Sequence, residues 1–179
     1  MTMVRSYNPP FDEAVERGNV WAGANQTTVT TQAGLSVTTP ALTLAALMAG
    51  GKRVKIWYVS AVGLIAPTAA ATVWAAMGGS GIADPSTATA GTVRNLKTGA
   101  AALPGGAGLY SVATLPAVPV AIGQLGAQLT GIITTVPVVA PFERWYNGAL
   151  WLAPGFNFSI QTSTATTLFC EYIFEIVDL

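Results

Sequence analysis

Residues 150–179, LWLAPGFNFSIQTSTATTLFCEYIFEIVDL, contain the clearest strand pattern in the chain. Pro154-Gly155 is a turn signal, because proline fixes φ and glycine accepts a positive φ. After this turn, FNFSIQ (156–161) alternates large apolar and polar residues, and the small residues 163–165 mark a second turn. A mainly apolar run then covers 167–177. The stretch therefore predicts a β-hairpin.

The last predicted strand is apolar on both faces. One face carries Leu168, Cys170, Tyr172, Phe174 and Ile176, and its uniform apolar character assigns it to the core. The other face carries Phe169, Glu171, Ile173, Glu175 and Val177. A solvent face does not need large apolar residues among acids, and this mixture is typical of a subunit interface. We take these five residues as the candidate interface; the alternative is a strand buried on both sides within one sandwich.

The rest of the chain from residue 19 onward is also β-rich. Val- and Thr-rich or alternating segments predict strands at 20–31, 35–39, 52–62, 72–77, 110–114, 118–126, 130–139 and 148–152. Residues 42–48 fit either a helical turn or a strand, and 82–108 is expected to be an extended loop. Short strands separated by Gly and Pro predict an all-β domain, a sandwich or a barrel.

The predicted central strand, 52–62, has the most regular alternation in this part of the chain. Its pattern places Val54, Ile56, Tyr58 and Val62 on one face. The same pattern places Arg53, Lys55, Trp57 and Val59 on the other face.

Residues 1–18 differ from the β-rich remainder. They contain Pro9-Pro10 and five of the sixteen Lys, Arg, Asp and Glu residues of the chain. We therefore place a domain boundary here, with an N-terminal arm at 1–18, a short helix at 11–17 within it, and a β-sandwich domain at 19–179. Such an arm reaches onto a neighbouring molecule or is a frayed terminus.

The composition suits a protein that is covered by neighbours. Hydrophobic residues make up 51% of the 179 residues, charged residues 9%, and the formal net charge is +0. A protein that works alone usually keeps a net charge, since this maintains solubility. Nucleic-acid binding requires a basic face to replace counterions, so we expect no nucleic-acid partner.

The few charges are unevenly distributed along the chain. The middle carries Lys52, Arg53, Lys55, Arg94 and Lys97 against only Asp84. The last part carries Glu143, Glu171, Glu175 and Asp178 against only Arg144. Opposite patches of this kind pair within one fold or between identical subunits; the alternative is scattered, solvated charges.

The sequence lacks the residues that common active sites need. It contains no histidine, which excludes a Ser-His-Asp or Cys-His pair and a His-based zinc site within one chain. Glu171 and Glu175 would stand about 13 Å apart on one strand, too far for a glycosidase pair. Cys170, the single cysteine, fits a buried small hydrophobe. We expect no enzymatic activity, catalytic residue, cofactor or metal.

No membrane segment is expected. The start of the chain has no signal-peptide pattern, and the charge-free stretches 56–83 and 98–142 are interrupted by Pro and Gly. We therefore expect a soluble protein with no membrane partner.

Three parts of the chain together resemble small virion proteins of tailed bacteriophages. GALWLAPGFNFSI (148–160), followed by a Thr-rich turn and a strand with Glu171 and Glu175, is similar to their closing strands. Residues 52–77 resemble their central strand pair, and 87–102 and LPAVP (115–119) resemble the loops between them. The resemblance covers about 19–179 and is a pattern of strands and turns.

The resemblance implies a jelly-roll β-sandwich of the tumour-necrosis-factor type that forms homotrimers. It also implies a capsid decoration (cement) protein, bound to the major capsid protein on the capsid surface of the virion and made in the host cytoplasm. The alternatives are a fibre or adhesin module that binds host glycans through exposed Trp or Tyr, and a jelly-roll capsid protein. No catalytic residue belongs to the family pattern.

Overall fold

The computed structural model describes residues 9–63, 69–79, 81, 83–86, 89–128 and 141–179. Helix α1 spans Pro9–Glu16, and a 3-10 helix spans Met48–Gly50. The strands are β1 (Val20–Ala24), β2 (Val29–Thr30), β3 (Thr43–Ala46), β4 (Lys52–Gly63), β5 (Ala71–Gly79), β6 (Thr89–Ala90), β7 (Thr92–Asn95), β8 (Ala107–Ser111), β9 (Val120–Gln128), β10 (Phe142–Leu152), β11 (Phe156–Thr162) and β12 (Thr167–Asp178).

The strands form two antiparallel sheets. Sheet A has the order β10-β4-β12-β1-β7, with β2 also pairing with β12, and sheet B has the order β6-β8-β3-β11-β5-β9. The main pairs are nested: β1 pairs with β12, β3 with β11, β4 with β10, and β5 with β9. A double sheet built this way is a jelly roll, which confirms the expected all-β, jelly-roll-like sandwich.

The core lies between the two sheets. Phe158 of β11 and Tyr172 of β12 are fully buried and meet edge to face with their ring centroids 5.6 Å apart. The ring of Tyr146 on β10 also meets the Phe158 ring edge to face, with the two ring centroids 5.9 Å apart. The Tyr172 hydroxyl donates a hydrogen bond to the Leu42 carbonyl oxygen at 2.9 Å, so its polar atom is satisfied inside the core.

A bulge in β4 inverts the alternation of that strand. Ile173 pairs with Tyr58 while Phe174 pairs with Ile56, which leaves Trp57 without a partner on β12. The prediction for β4 is therefore wrong beyond Trp57, because the extra residue moves every later side chain to the opposite face. Val59 is fully buried in the core, and Tyr58 lies on the outer face. Val62 lies opposite Phe169, on that same outer face.

Strand β10 has a matching irregularity. Trp145 pairs with Tyr58 and Leu150 pairs with Ile56, so residues 146–149 face the Trp57 position. Asn147 and Gly148 make the turn with φ values of 51° and 72°. The two bulges together let Trp57 point outward without breaking either strand.

The outer face of sheet B is covered by loops. Asn157, Ser159 and Gln161 of β11 point outward, yet all are buried. The Ser36 backbone N–H donates to Gln161 Oε1 at 3.4 Å, and the Leu115 N–H donates to the Val37 carbonyl oxygen at 2.6 Å. The segment predicted as a strand at 35–39 is instead part of this cover, because its hydrogen bonds go to other loops and to side chains.

The remaining strand predictions differ from the structure mainly in extent. The predicted strand 20–31 is interrupted and becomes β1 and β2, and the ambiguous residues 42–48 contain β3. The expected loop at 82–108 contains β6, β7 and the start of β8, and β7 extends sheet A by pairing with β1. The predicted strand at 130–139 lies outside the described residues.

Candidate functional surface

Helix α1 packs on the outer face of sheet A. Phe11 and Ala14 contact a small apolar cluster that includes Trp57, and the rings of Phe11 and Trp57 meet edge to face at 5.2 Å. At the end of the helix, Lys97 Nζ donates to the Glu16 carbonyl oxygen. The described part of the predicted arm therefore lies on its own sandwich.

Beside the helix, a buried ion pair crosses sheet A. Glu175 Oε2 lies 3.3 Å from Lys55 Nζ and accepts a hydrogen bond from Trp57 Nε1 at 3.3 Å. Lys55 Nζ also lies 4.6 Å from the ring centroid of Trp57 and 5.2 Å from that of Trp151. The carboxylate and the ammonium are thus paired and enclosed by two indoles, which is the arrangement that makes a buried charge tolerable.

Next to this ion pair lies a second group, Tyr58, Glu143, Trp145 and Glu171, which we call the acidic surface. The Tyr58 hydroxyl donates to Glu143 Oε2 at 2.9 Å, and the Tyr58 and Trp145 rings lie 4.8 Å apart. Burial raises the pKa of Tyr58, and the neighbouring carboxylates of Glu143 and Glu171 raise it further. Trp145 remains 50% exposed. The acidic surface therefore offers carboxylates and an aromatic face to solvent.

The five residues of the candidate interface fall into two groups. Ile173 packs against the cluster under α1, and Glu175 is buried in the ion pair with Lys55. Glu171 is exposed, and Phe169 and Val177 are half-buried. The chain itself covers the first group, so the part of this face that can meet another molecule consists of Phe169, Glu171 and Val177. That they form a subunit interface stays a prediction.

A shallow groove of about 300 Å³ lies on the other side of Glu171. Ala22 and Ala24 of β1 are at its floor, and Arg94 of β7 lines it opposite Glu171. The Arg94 guanidinium donates to the Val93 carbonyl oxygen at 2.9 Å. The groove is therefore a small-residue strip with a cation and a carboxylate on its two walls.

Sequence reasoning missed most of the acidic surface. Glu143 and Trp145 alternate in β10, but that strand was predicted to begin only at residue 148. Asn147-Gly148, a dipeptide that favours positive φ, was the available sign of a bulge inside a longer strand. Tyr58 was predicted to share a face with Val54 and Ile56, because the bulge at Trp57 leaves no sign in the alternation.

Cys170 is buried, and burial raises the pKa of its thiol. Within the described ranges, no cluster of three or more His, Cys, Asp or Glu residues has the geometry to hold a metal ion. In the same part of the chain, no helix has both the length and the apolar character needed to cross a bilayer.

No protein-family model, curated protein or solved structure matches the chain. What the surfaces do is therefore inferred from their own residues.

Proposed function

We propose that this chain is a virion structural protein of a tailed bacteriophage, a capsid decoration (cement) protein that acts as a homotrimer on the major capsid protein. The observation that supports this most is the presence of two exposed apolar surfaces on different sheets. Sheet A exposes Trp145 and Trp151, at 50% and 42%. Val120 and Ile122 of β9, with Val118 just before it, are 67%, 43% and 62% exposed in sheet B.

A cement protein needs two kinds of contact, one between its copies and one with the shell. We assign sheet A to contacts between copies, since it also carries Glu171 and Arg94. We assign the apolar row on β9 to the shell. Burial of apolar surface stabilises such contacts by about 25 cal/mol per Å² before the costs of association. Neighbouring capsomers would be held together mechanically, with no chemical step.

The test is binding to phage heads assembled without this protein, followed by thermal release of their DNA. We expect the wild-type protein to bind and to raise the release temperature. Val120→Asp should fold but bind weakly, because its side chain is exposed in the free subunit and would be buried against the shell. Met48→Asp, at a residue 41% exposed outside both apolar surfaces, is the matched control. Absence of binding by the wild type contradicts the proposal.

A second candidate function is glycan binding by a fibre or adhesin module. It is favoured by Trp145, whose half-exposed ring lies beside the Tyr58–Glu143 hydrogen bond. An aromatic face stacks on a sugar ring, and a carboxylate accepts hydrogen bonds from its hydroxyls. A glycan array probed with the wild type and with Trp145→Ala tests it. Binding that disappears in the variant favours the adhesin, and an array without signal contradicts it.

A further inference from the structure

Sheet A carries opposite charges at separate places on one face. The acidic surface spans β10, β4 and β12, whereas Arg94 lies on β7, the edge strand at the other end of the sheet. Among the described residues, neither Arg94 nor Glu171 belongs to an ion pair. Both therefore have unused capacity for a charged partner.

Strand geometry keeps these two charges apart within one molecule. Glu171 lies opposite Ala24 and Arg94 lies opposite Ala22, so β1 separates them by two strand spacings and a two-residue offset. At about 4.8 Å between strands and 3.3 Å per residue, their Cα atoms are roughly 12 Å apart. The alanines between them leave the groove open to a side chain from another molecule.

We propose that Arg94 of one copy of this chain binds beside Glu171 and Glu143 of the next copy, in a head-to-tail contact. This rests on the homotrimer of the proposed function and identifies its polar contact. A guanidinium forms bidentate hydrogen bonds with carboxylates and stacks on aromatic rings, and the acidic surface supplies both through Glu171, Glu143 and Trp145. The occupant is a second copy because every copy carries both halves of the complementary pair.

Two kinds of assembly can join the cation of one copy to the acidic surface of another. A two-fold pair would match both patches twice and give a dimer, whereas the proposed head-to-tail contact uses a different patch on each side and is heterologous. Heterologous contacts that close form rings in which each copy donates one cation and accepts another. A ring of three copies is the homotrimer.

The experiment is a charge exchange, measured by sedimentation equilibrium with circular dichroism to verify folding. Arg94→Glu and Glu171→Arg should each weaken self-association by about tenfold or more, because each places like charges at the contact. The double variant Arg94→Glu/Glu171→Arg restores opposite charges and should recover the wild-type association. Arg53→Glu, which makes the same charge change on an exposed residue of β4, is the control and should associate normally.

The outcomes separate this inference from the proposed function. A wild-type trimer that Arg94→Glu leaves intact, or a double variant that is not rescued, overturns the Arg94 contact and leaves the cement proposal standing. A wild-type dimer overturns the three-copy ring. A wild-type monomer at every concentration overturns both the contact and the homotrimer.

Discussion

Replacing Phe158 by alanine should strongly lower the stability of the sandwich, because Phe158 lies in the centre of its core. Phe158 is fully buried on β11, and its ring meets Tyr146 and Tyr172 edge to face at 5.9 and 5.6 Å. Truncation of a buried phenylalanine costs about 3–5 kcal/mol. We expect the upper half of that range, since each lost ring pair adds about 0.5–1.5 kcal/mol. This is a large share of the roughly 5–15 kcal/mol by which a domain is stable.

The same strand provides the control. Phe156 lies two residues earlier on β11 and is 39% exposed. Because part of its surface already meets water, Phe156→Ala should cost only about 1–2 kcal/mol. The pair compares the same side-chain deletion at two depths of one strand.

Urea unfolding followed by circular dichroism measures the difference. At a slope of about 2–3 kcal/mol per M, a loss of about 4–5 kcal/mol in Phe158→Ala should lower the midpoint by about 1.3–2.5 M relative to wild type. Protein concentration must be equal in all samples, since an oligomer gains stability from association. Equal losses for Phe158→Ala and Phe156→Ala would contradict the core assignment of β11.

Three further predictions concern the two faces of sheet A. Lys55→Met should destabilise by about 3–5 kcal/mol, because it leaves the buried Glu175 carboxylate without its cation; Lys55→Met/Glu175→Gln should recover part of that loss in urea unfolding. Stability should fall as pH rises above 10, because burial raises the pKa of Tyr172 above its unfolded value of 10.0 and only the unfolded chain then ionises. Tyr172→Phe should therefore show a shallower decline between pH 9 and about 11, whereas an unchanged slope would contradict this assignment. Phe169→Asp should weaken self-association while circular dichroism stays native, because Phe169 lies on the part of β12 that the chain does not cover; loss of the whole fold would show that this part of β12 serves only its own chain.

The parts of the fold that follow from sequence are those with local signals. Strand β11 matches its prediction because FNFSIQ alternates strictly between a Pro-Gly turn and a Thr-rich turn, so both ends and both faces are marked nearby. Strand β4 has nearly the predicted extent, but its side chains beyond Trp57 lie on the opposite faces from those predicted. Its inversion at Trp57 depends on residues 146–149 of β10, which are distant in the chain and compensate for the extra residue.

The sequence predicted which residues share the outer face of β12, but not which of them other parts of the chain cover. Glu175 was placed on the candidate interface, yet the register between β12 and β4 places it beside Lys55. Ile173 looked free, yet α1 folds back onto it. Likewise Asn157 and Gln161 form a polar row that predicts solvent, yet both are buried, and Gln161 bonds to Ser36 in the loop at 35–39. In each case a long-range contact decides what the local pattern leaves open.

The positions of β11 and β12 have a consequence for biosynthesis. Both strands are translated after all others, yet β12 joins β4 to β1 in sheet A and β11 joins β3 to β5 in sheet B. A nascent chain that ends at Leu152 therefore holds separate pieces, β10-β4 and β1-β7 from one sheet and β6-β8-β3 and β5-β9 from the other. None of these pieces encloses a core, and each presents unpaired strand edges on the ribosome. The domain is thus expected to fold in one late step once β12 has emerged from the ribosome, with chaperones protecting its apolar strands until then.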